Sequence, residues 1–186
     1  HLRGFTPDPW LLARVAAHHA LGDIWAMGAQ PQAALASITL PHMTPAMQQA
    51  TLAEVMTAAQ TVFRAAGADI AGGHSTLGAE LSIGFTVTGL APDRPIGLEG
   101  ALPGDALLLS APIGSGTLLA AEMALKARGP WIAALWQEMT RGQGVAAEIL
   151  APAAHAMTDV TGFGLAGHLM NMMRASGTGA RLDLAA

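Results

Sequence analysis

The chain has no cysteine, which excludes disulfides, thiolate metal ligands and a cysteine nucleophile within its 186 residues. That absence suits a cytoplasmic protein. Charge is also scarce, at 12% of residues against 52% hydrophobic. Such a chain buries a core and does not stay disordered. There is no excess of basic residues: the net charge is −4 and the pI about 5.9. With no basic footprint, nucleic acid is not an expected partner. No apolar run is long enough to span a bilayer, and no secretory leader is visible, so no membrane role is expected. Serine, histidine and aspartate do not fall in the order of a hydrolase triad, no carboxylate pair suggests a glycosidase, and the histidines lack zinc-site spacing. The chain opens on His1-Leu2-Arg3 without a methionine. It closes on Leu182-Asp183-Leu184-Ala185-Ala186, which reads as a strand cut short. Both ends therefore read as truncations. The length allows one good core or two small domains.

What is present is a mixture of helix and strand signals along the whole chain. Asp8-Pro9 is a helix start, with the acid as N-cap and proline at the first helical position. That helix is expected to run to Met27 and stop at Gly28. Thr44-Pro45 repeats the signal and opens a second helix through Leu52, Val55, Val62 and Phe63 to Gly67. Strands are expected at Ala33 to Leu40, Ala68 to Ala71 and Leu81 to Leu90. In the last of these, Ile83, Phe85 and Val87 alternate with smaller or polar residues. Pro92 to Gly104 is rich in proline and glycine and marks a boundary between domains at 1–92 and 98–186. Beyond it, strands are expected at Asp105 to Ser110 and His155 to Val160. Helices are expected from about Thr117, over Pro130 to Leu150 with Trp131, Leu135 and Trp136 on the apolar side, and from Phe163 to Ala175. The pattern predicts an α+β protein built in two layers.

Four stretches could carry chemistry. On the first helix, His19 and Asp23 are four apart and share a face. Ala16 and Ala20 keep that face low enough for a metal–phosphate group to approach. Asp23 is a hard oxygen ligand for a divalent cation; the alternative is a solvated helix carboxylate. His18 and His19 read as surface or packing residues. Gly72-Gly73-His74 follows a strand, so its backbone amides could approach a phosphate or purine; an ordinary tight turn is the alternative. Gly114-Ser115-Gly116-Thr117 precedes a helix but lacks the lysine and spacing of a Walker loop. It reads as packing or as a small anion pocket. In the run from His155 to His168, Asp159 ends an apolar stretch and is followed by Gly162, Gly164 and a helix start. A metal and phosphate oxygens can be held together at such a corner. His168 reads as a packed or surface residue, and Met157, Met170, Met172 and Met173 as core filler.

Together these stretches resemble the selenide, water dikinase (selenophosphate synthetase) family, from about Pro9 to Ala186. The family's Ala-Leu-Ser-Asp-hydrophobe-aromatic-Ala-Met-Gly run is matched by Ala20-Leu21-Gly22-Asp23-Ile24-Trp25-Ala26-Met27-Gly28. Its Gly-Gly-His-Ser is matched by Gly72 to Ser75 and its Val-Thr-Gly by Val87 to Gly89. Its Pro-Leu-Gly-Thr-Gly is echoed by Pro112 to Gly116. Thr-Asp-Val-Thr-Gly-Phe-Gly is matched in full by Thr158 to Gly164. That last run separates it from aminoimidazole ribonucleotide synthetase, hydrogenase maturation factors and thiamine-monophosphate kinase, which share the fold. The chain departs from the pattern at His18-His19, where small polar residues are common, and at Ala29 and Gln30.

The resemblance implies an aminoimidazole ribonucleotide synthetase-like fold, with a partial N-terminal α/β domain that dimerises through its sheet and a partial C-terminal α/β domain. It implies conversion of ATP, selenide and water to selenophosphate, AMP and orthophosphate by a cytoplasmic homodimer. Aspartates matching Asp23 and Asp159 would hold Mg2+ on the ATP phosphates. The backbone of Gly72, Gly73 and His74 would contact nucleotide across the dimer. Phosphoryl transfer needs positioning and charge neutralisation above covalent help, which suits such a site. The family's catalytic cysteine or selenocysteine, its lysine and a first magnesium-binding aspartate precede these motifs. No catalytic residue is therefore expected in this chain, and alone it is expected to be inactive. The rival readings are another ATP-dependent enzyme of the same fold and a non-catalytic dimerising scaffold.

Overall fold

A computed structural model describes residues 2–183. Among them, β1 (Leu2–Arg3), α1 (Pro9–Trp25), β2 (Gln30–Pro41), α2 (Pro45–Ala65), β3 (Asp69–Gly78) and β4 (Ser82–Leu90) form the first half. The sheet runs in the order β1-β4-β2-β3. Only β2 and β3 pair in parallel; β4 runs antiparallel to both β1 and β2. This agrees with the predicted mixed class. β1 has no sequence signal, since two residues carry no readable period.

Both long helices start as their sequences predict. The Asp8 carboxylate accepts the Leu11 N–H at 3.1 Å, and the Thr44 hydroxyl accepts the Met47 N–H at 3.4 Å. Each satisfies one of the amides a helix start leaves open. α1 ends at Ala26, and Gly28 turns the chain with φ +65°. The two helices pack on each other and cover one sheet face. Alternate β2 residues Ala34, Ala36, Ile38 and Leu40 point into that layer with Leu12, Leu21, Val55 and Phe63. Phe63 meets Phe85 of β4 edge to face, ring centres 5.0 Å apart. Burial of apolar area at about 25 cal/mol per Å2 drives this assembly. Ala16, expected on the open face of α1, belongs to this core; α1 buries a wide alanine-rich stripe, not a narrow one. The opposite sheet face is different. Leu35, Ser37, His74, Thr86 and Thr88 are all exposed there.

The second half holds α3 (Ser115–Met123), α4 (Gly129–Met139), α5 (Gly144–Leu150), a short 3-10 turn (Ala151–Ala153) and α6 (Gly164–Ser176). The region expected as one helical stretch is thus two helices with a break at 140–143. Leu135 is buried and Trp136 stacks on Phe5 at 5.7 Å. Trp131 instead faces outward under the Arg128 guanidinium, and Ile132 takes the buried place.

The strands expected at Asp105–Ser110 and His155–Val160 are not formed among the described residues. A strand needs a neighbour for its backbone groups, and neither segment pairs with one. Leu107, Leu108 and Leu109 are accordingly exposed. The strand expected at the C-terminus falls partly on residues 184–186, outside the described residues, as does His1; Leu182 and Asp183 have no regular structure. The connector ties the two halves together. The Ile96 N–H donates to the Met27 carbonyl at 3.0 Å, and the Met157 N–H to the Gly97 carbonyl at 3.0 Å. Ser176 of α6 donates to the Leu98 carbonyl at 3.0 Å and accepts the Ala101 N–H at 3.1 Å. No described helix is long and apolar enough to cross a membrane.

Candidate active site

Asp23 lies near the end of α1, a helix held from below by buried Leu21 and Trp25. The segment before α6 brings Asp159 to it. The Asp23 carboxyl is held above its ordinary range, first by partial burial and then by the charge of Asp159, with a hydrogen bond between the two side chains acting in the same direction. His19, one turn earlier on α1, partly opposes this. Two carboxylates that face each other favour a shared proton or a cation between them. Among the described residues they are a pair, with no cluster of three ligating side chains.

Beside the pair opens a cavity of about 680 Å3. Its walls are His19, Gly22 and Trp25 of α1, Ala26 at its C-cap, residues 108–117, part of α5, and Met157 to Leu165 apart from Phe163. Nothing stands within 4 Å of where a Cβ would lie on Gly22 or Gly162, so the floor beside the acids is open. The Gly114-Ser115-Gly116-Thr117 stretch, read as packing or a small anion pocket, lines this cavity. Gly114 adopts φ +110°, and the α3 start it precedes has no side-chain cap. Its first amides are the kind of group that receives an anion. The sequence contains this signal, but not its proximity to Asp159.

Gly72, Gly73 and His74 lie elsewhere. They do not follow a strand; they sit inside β3, paired with Leu35, Ala36 and Ser37 of β2. The parallel ladder continues through them to Gly78, so no tight turn forms. All three are exposed on this edge strand, and none lines the Asp159 cavity. His18 packs beside Trp25, with ring centres 6.4 Å apart, as a packing residue should. His168 packs too, and it also anchors the chain ahead of α6, where its Nε2 accepts the Thr161 N–H at 3.0 Å.

The AIR synthase related protein, N-terminal domain model matches residues 1–91, and the corresponding C-terminal domain model matches residues 103–186. The chain is 39% identical over 191 residues to the selenide, water dikinase of Nitratidesulfovibrio vulgaris (strain Miyazaki F), covering 98% of this chain and 53% of that protein. The enzyme of the same name from Aeromonas hydrophila is 41% identical over 184 residues, covering 96% and 52%. The chain thus spans about half the length of the curated relatives it matches. Among solved structures, thiamine monophosphate kinase from Aquifex aeolicus superposes with a TM-score of 0.75 at 21% identity, covering 93% of this chain and 59% of that one. Hydrogenase maturation protein HypE in complex with ATP gives 0.70 at 20% identity, covering 89% and 50%. At such identities the likeness is one of fold.

Proposed function

Because the chain belongs to the AIR synthase related family, with the N- and C-terminal domains in succession, we propose that it is the metal- and phosphate-holding part of a selenide, water dikinase. The whole protein converts ATP, selenide and water to selenophosphate, AMP and orthophosphate. The relatives named above carry that name at 39% and 41% identity. The observation that carries the reading is the facing pair Asp23 and Asp159, of which Asp159 lines a cavity large enough for a nucleotide polyphosphate and Asp23 stands between the lining residues Gly22 and Ala26.

The donor set fits Mg2+, a hard cation that takes carboxylate oxygens and substrate phosphates while keeping several waters. Asp23 and Asp159 would hold it, and it would neutralise charge on the ATP phosphates. Burial is the first cause of the raised proton affinity at Asp23; the second, the charge of Asp159, is the part that a cation between the two carboxylates would relieve. The chain's own part is to orient: α1 presents Asp23, the 155–162 segment presents Asp159, and the α3 start supplies backbone donors. Such positioning is most of what phosphoryl transfer asks of a protein. The chain has no cysteine, so in this reading a thiol or selenol nucleophile, and the lysine beside it, stand elsewhere in the whole protein. The domains divide at the 93–97 connector.

In the same reading the protein is a cytoplasmic homodimer. The uncovered sheet face, with exposed Leu35, Ser37 and His74, supports association through the sheet. A second copy there would bring the exposed Gly72–His74 backbone towards its partner's nucleotide. The test is phosphorus NMR of the whole protein with ATP and Mg2+, with and without selenide. Selenide-dependent selenophosphate and AMP are expected, and both should vanish in Asp23→Ala and Asp159→Ala. ATP turnover indifferent to selenide would instead place it with another enzyme of this fold.

A further inference from the structure

Asp159 sits on a segment with no regular structure. Between Ala154 and Thr161 there is neither helix nor strand, so no backbone ladder sets where its carboxylate stands. Two histidines hold the ends of the segment, with one backbone bond between them from the Met157 N–H to the Gly97 carbonyl at 3.0 Å. At its start, His155 Nδ1 lies 3.0 and 2.9 Å from the two Asp105 carboxylate oxygens. Asp105 is itself fixed, since it accepts the Leu102 N–H at 2.8 Å. That N–H and then His155 draw its carboxyl below the ordinary range. The His155 carbonyl also packs where a Cβ on Gly100 would come within 2.6 Å, which keeps the connector close. At the far end, the Thr161 N–H donates to His168 Nε2 at 3.0 Å, and the Thr161 hydroxyl lies 3.1 Å from the same nitrogen. A ring nitrogen that accepts an N–H carries no proton, so the proton of this imidazole is on Nδ1. Between Met157 and Thr161, the backbone of 158–160 bonds to no other element among the described residues.

We propose that His155 and His168 are positioning residues which suspend the Asp159 segment so that its carboxylate faces Asp23. This rests on the reading of Asp23 and Asp159 as holders of a divalent cation. Neither histidine touches the cation; each acts through the segment. Partners behind metal ligands fix ligand orientation, and their loss costs about 10- to 100-fold in metal affinity. The two histidines use different ring nitrogens, so the variant that keeps the hydrogen bond differs between the two sites. Asparagine can put an amide N–H where Nδ1 stands, whereas glutamine can put an amide oxygen where Nε2 stands.

The experiment is Mn2+ binding by the whole protein, read by loss of the free-ion EPR signal, alone and with a non-hydrolysable ATP analogue. Thermal unfolding runs in parallel. His155→Asn and His168→Gln should bind Mn2+ within about threefold of wild type, whereas His155→Gln and His168→Asn should weaken it about tenfold. These bonds are solvent-exposed, so unfolding temperatures should change little while Mn2+ affinity follows the crossed order. Equal Mn2+ affinity in all four variants, alongside lost binding in Asp159→Ala, would overturn the positioning role and leave the cation reading standing. Equal loss in Asn and Gln at either site would also overturn it. Unchanged binding in both Asp23→Ala and Asp159→Ala would remove the cation reading, and the positioning role with it.

Discussion

A Cβ on Gly73 would overlap the carbonyl oxygen of Ala36, its partner across the parallel β2–β3 ladder. The two strands approach this closely just past the register shift at Ala34/Leu35. Gly73 is therefore required by packing. Gly72 is different, since its Cβ would meet only the Leu35 side chain at an ordinary 3.7 Å.

Gly73→Ala should cost about 1–3 kcal/mol, because backbone must move to admit the methyl group. Gly72→Ala should change stability by less than about 0.5 kcal/mol. Urea denaturation of both variants checks this. If the Gly72 backbone contacts nucleotide, Gly72→Ala should weaken ATP binding while leaving the fold intact. The pair of variants thereby separates the two roles a double glycine can have.

Much of the first half is legible in the sequence because its signals are local. Asp8-Pro9 and Thr44-Pro45 start helices by caps spelled out in adjacent residues, and the alternation at Ile83, Phe85 and Val87 needs only β4 itself. The strands expected at 105–110 and 155–160 rest on apolar runs alone. An apolar run states a preference for burial, and pairing depends on a neighbour that the run does not contain. The site follows the same rule. Asp23 and Asp159 are each visible as hard ligands, but their meeting is a tertiary fact. The place of Gly114–Thr117 in the cavity wall is likewise tertiary, whereas the acceptor role of His168 is a contact seven residues apart that has no sequence signal of its own.

Asp23 makes the fold sensitive to pH in a defined direction. Its folded pKa is raised above 3.8, by burial first and by Asp159 next. Its contribution to stability is therefore complete below 3.8 and is lost as pH rises through the folded value. Asp23→Asn removes that loss. The variant should show a modest rise in Tm over wild type at pH 7 without divalent ions, and the difference should disappear near pH 3. Mg2+ should stabilise wild type and leave the variant unchanged, as ligand linkage requires. Thermal scans at the two pH values, with and without Mg2+, check both parts.

His18 acts in the opposite sense. Burial, and then the charge of Arg14, push its pKa from 6.5 down to about 4. Its Nδ1 is buried without a hydrogen-bond partner among the described residues. The neutral ring packs against Trp25 and near Gly142. Its contribution is present above pH 6.5 and is lost as pH falls towards 4, where the unfolded chain takes up a proton that the folded one refuses. Between those values wild type should lose about 1–3 kcal/mol more than His18→Leu, after allowance for partial exposure. Urea midpoints of the two proteins at pH 7 and pH 4.5 check the difference, which cancels the carboxylates they share.

Leu125 ends α3 in a conformation that suits another residue. Its φ is +56°, the one non-glycine left-handed backbone among the described residues. Its N–H donates to the Glu122 carbonyl at 2.8 Å, and the Lys126 N–H to the Ala121 carbonyl at 2.8 Å. These are the two bonds of a Schellman C-cap, whose left-handed position is usually glycine. A leucine there costs about 1–2 kcal/mol for the clash of its Cβ with the following carbonyl. Burial returns nothing, since the side chain is 93% exposed. Glycine would lose more backbone entropy on folding, which offsets part of the gain. Leu125→Gly should therefore stabilise the protein by about 0.5–1 kcal/mol. Leu125→Asn should fall between the two, because asparagine tolerates the left-handed region better than leucine. The order Gly above Asn above Leu in denaturant midpoint, with an unchanged slope, is the expected result. A reversed order would mean that the leucine side chain is buried in the folded protein in solution.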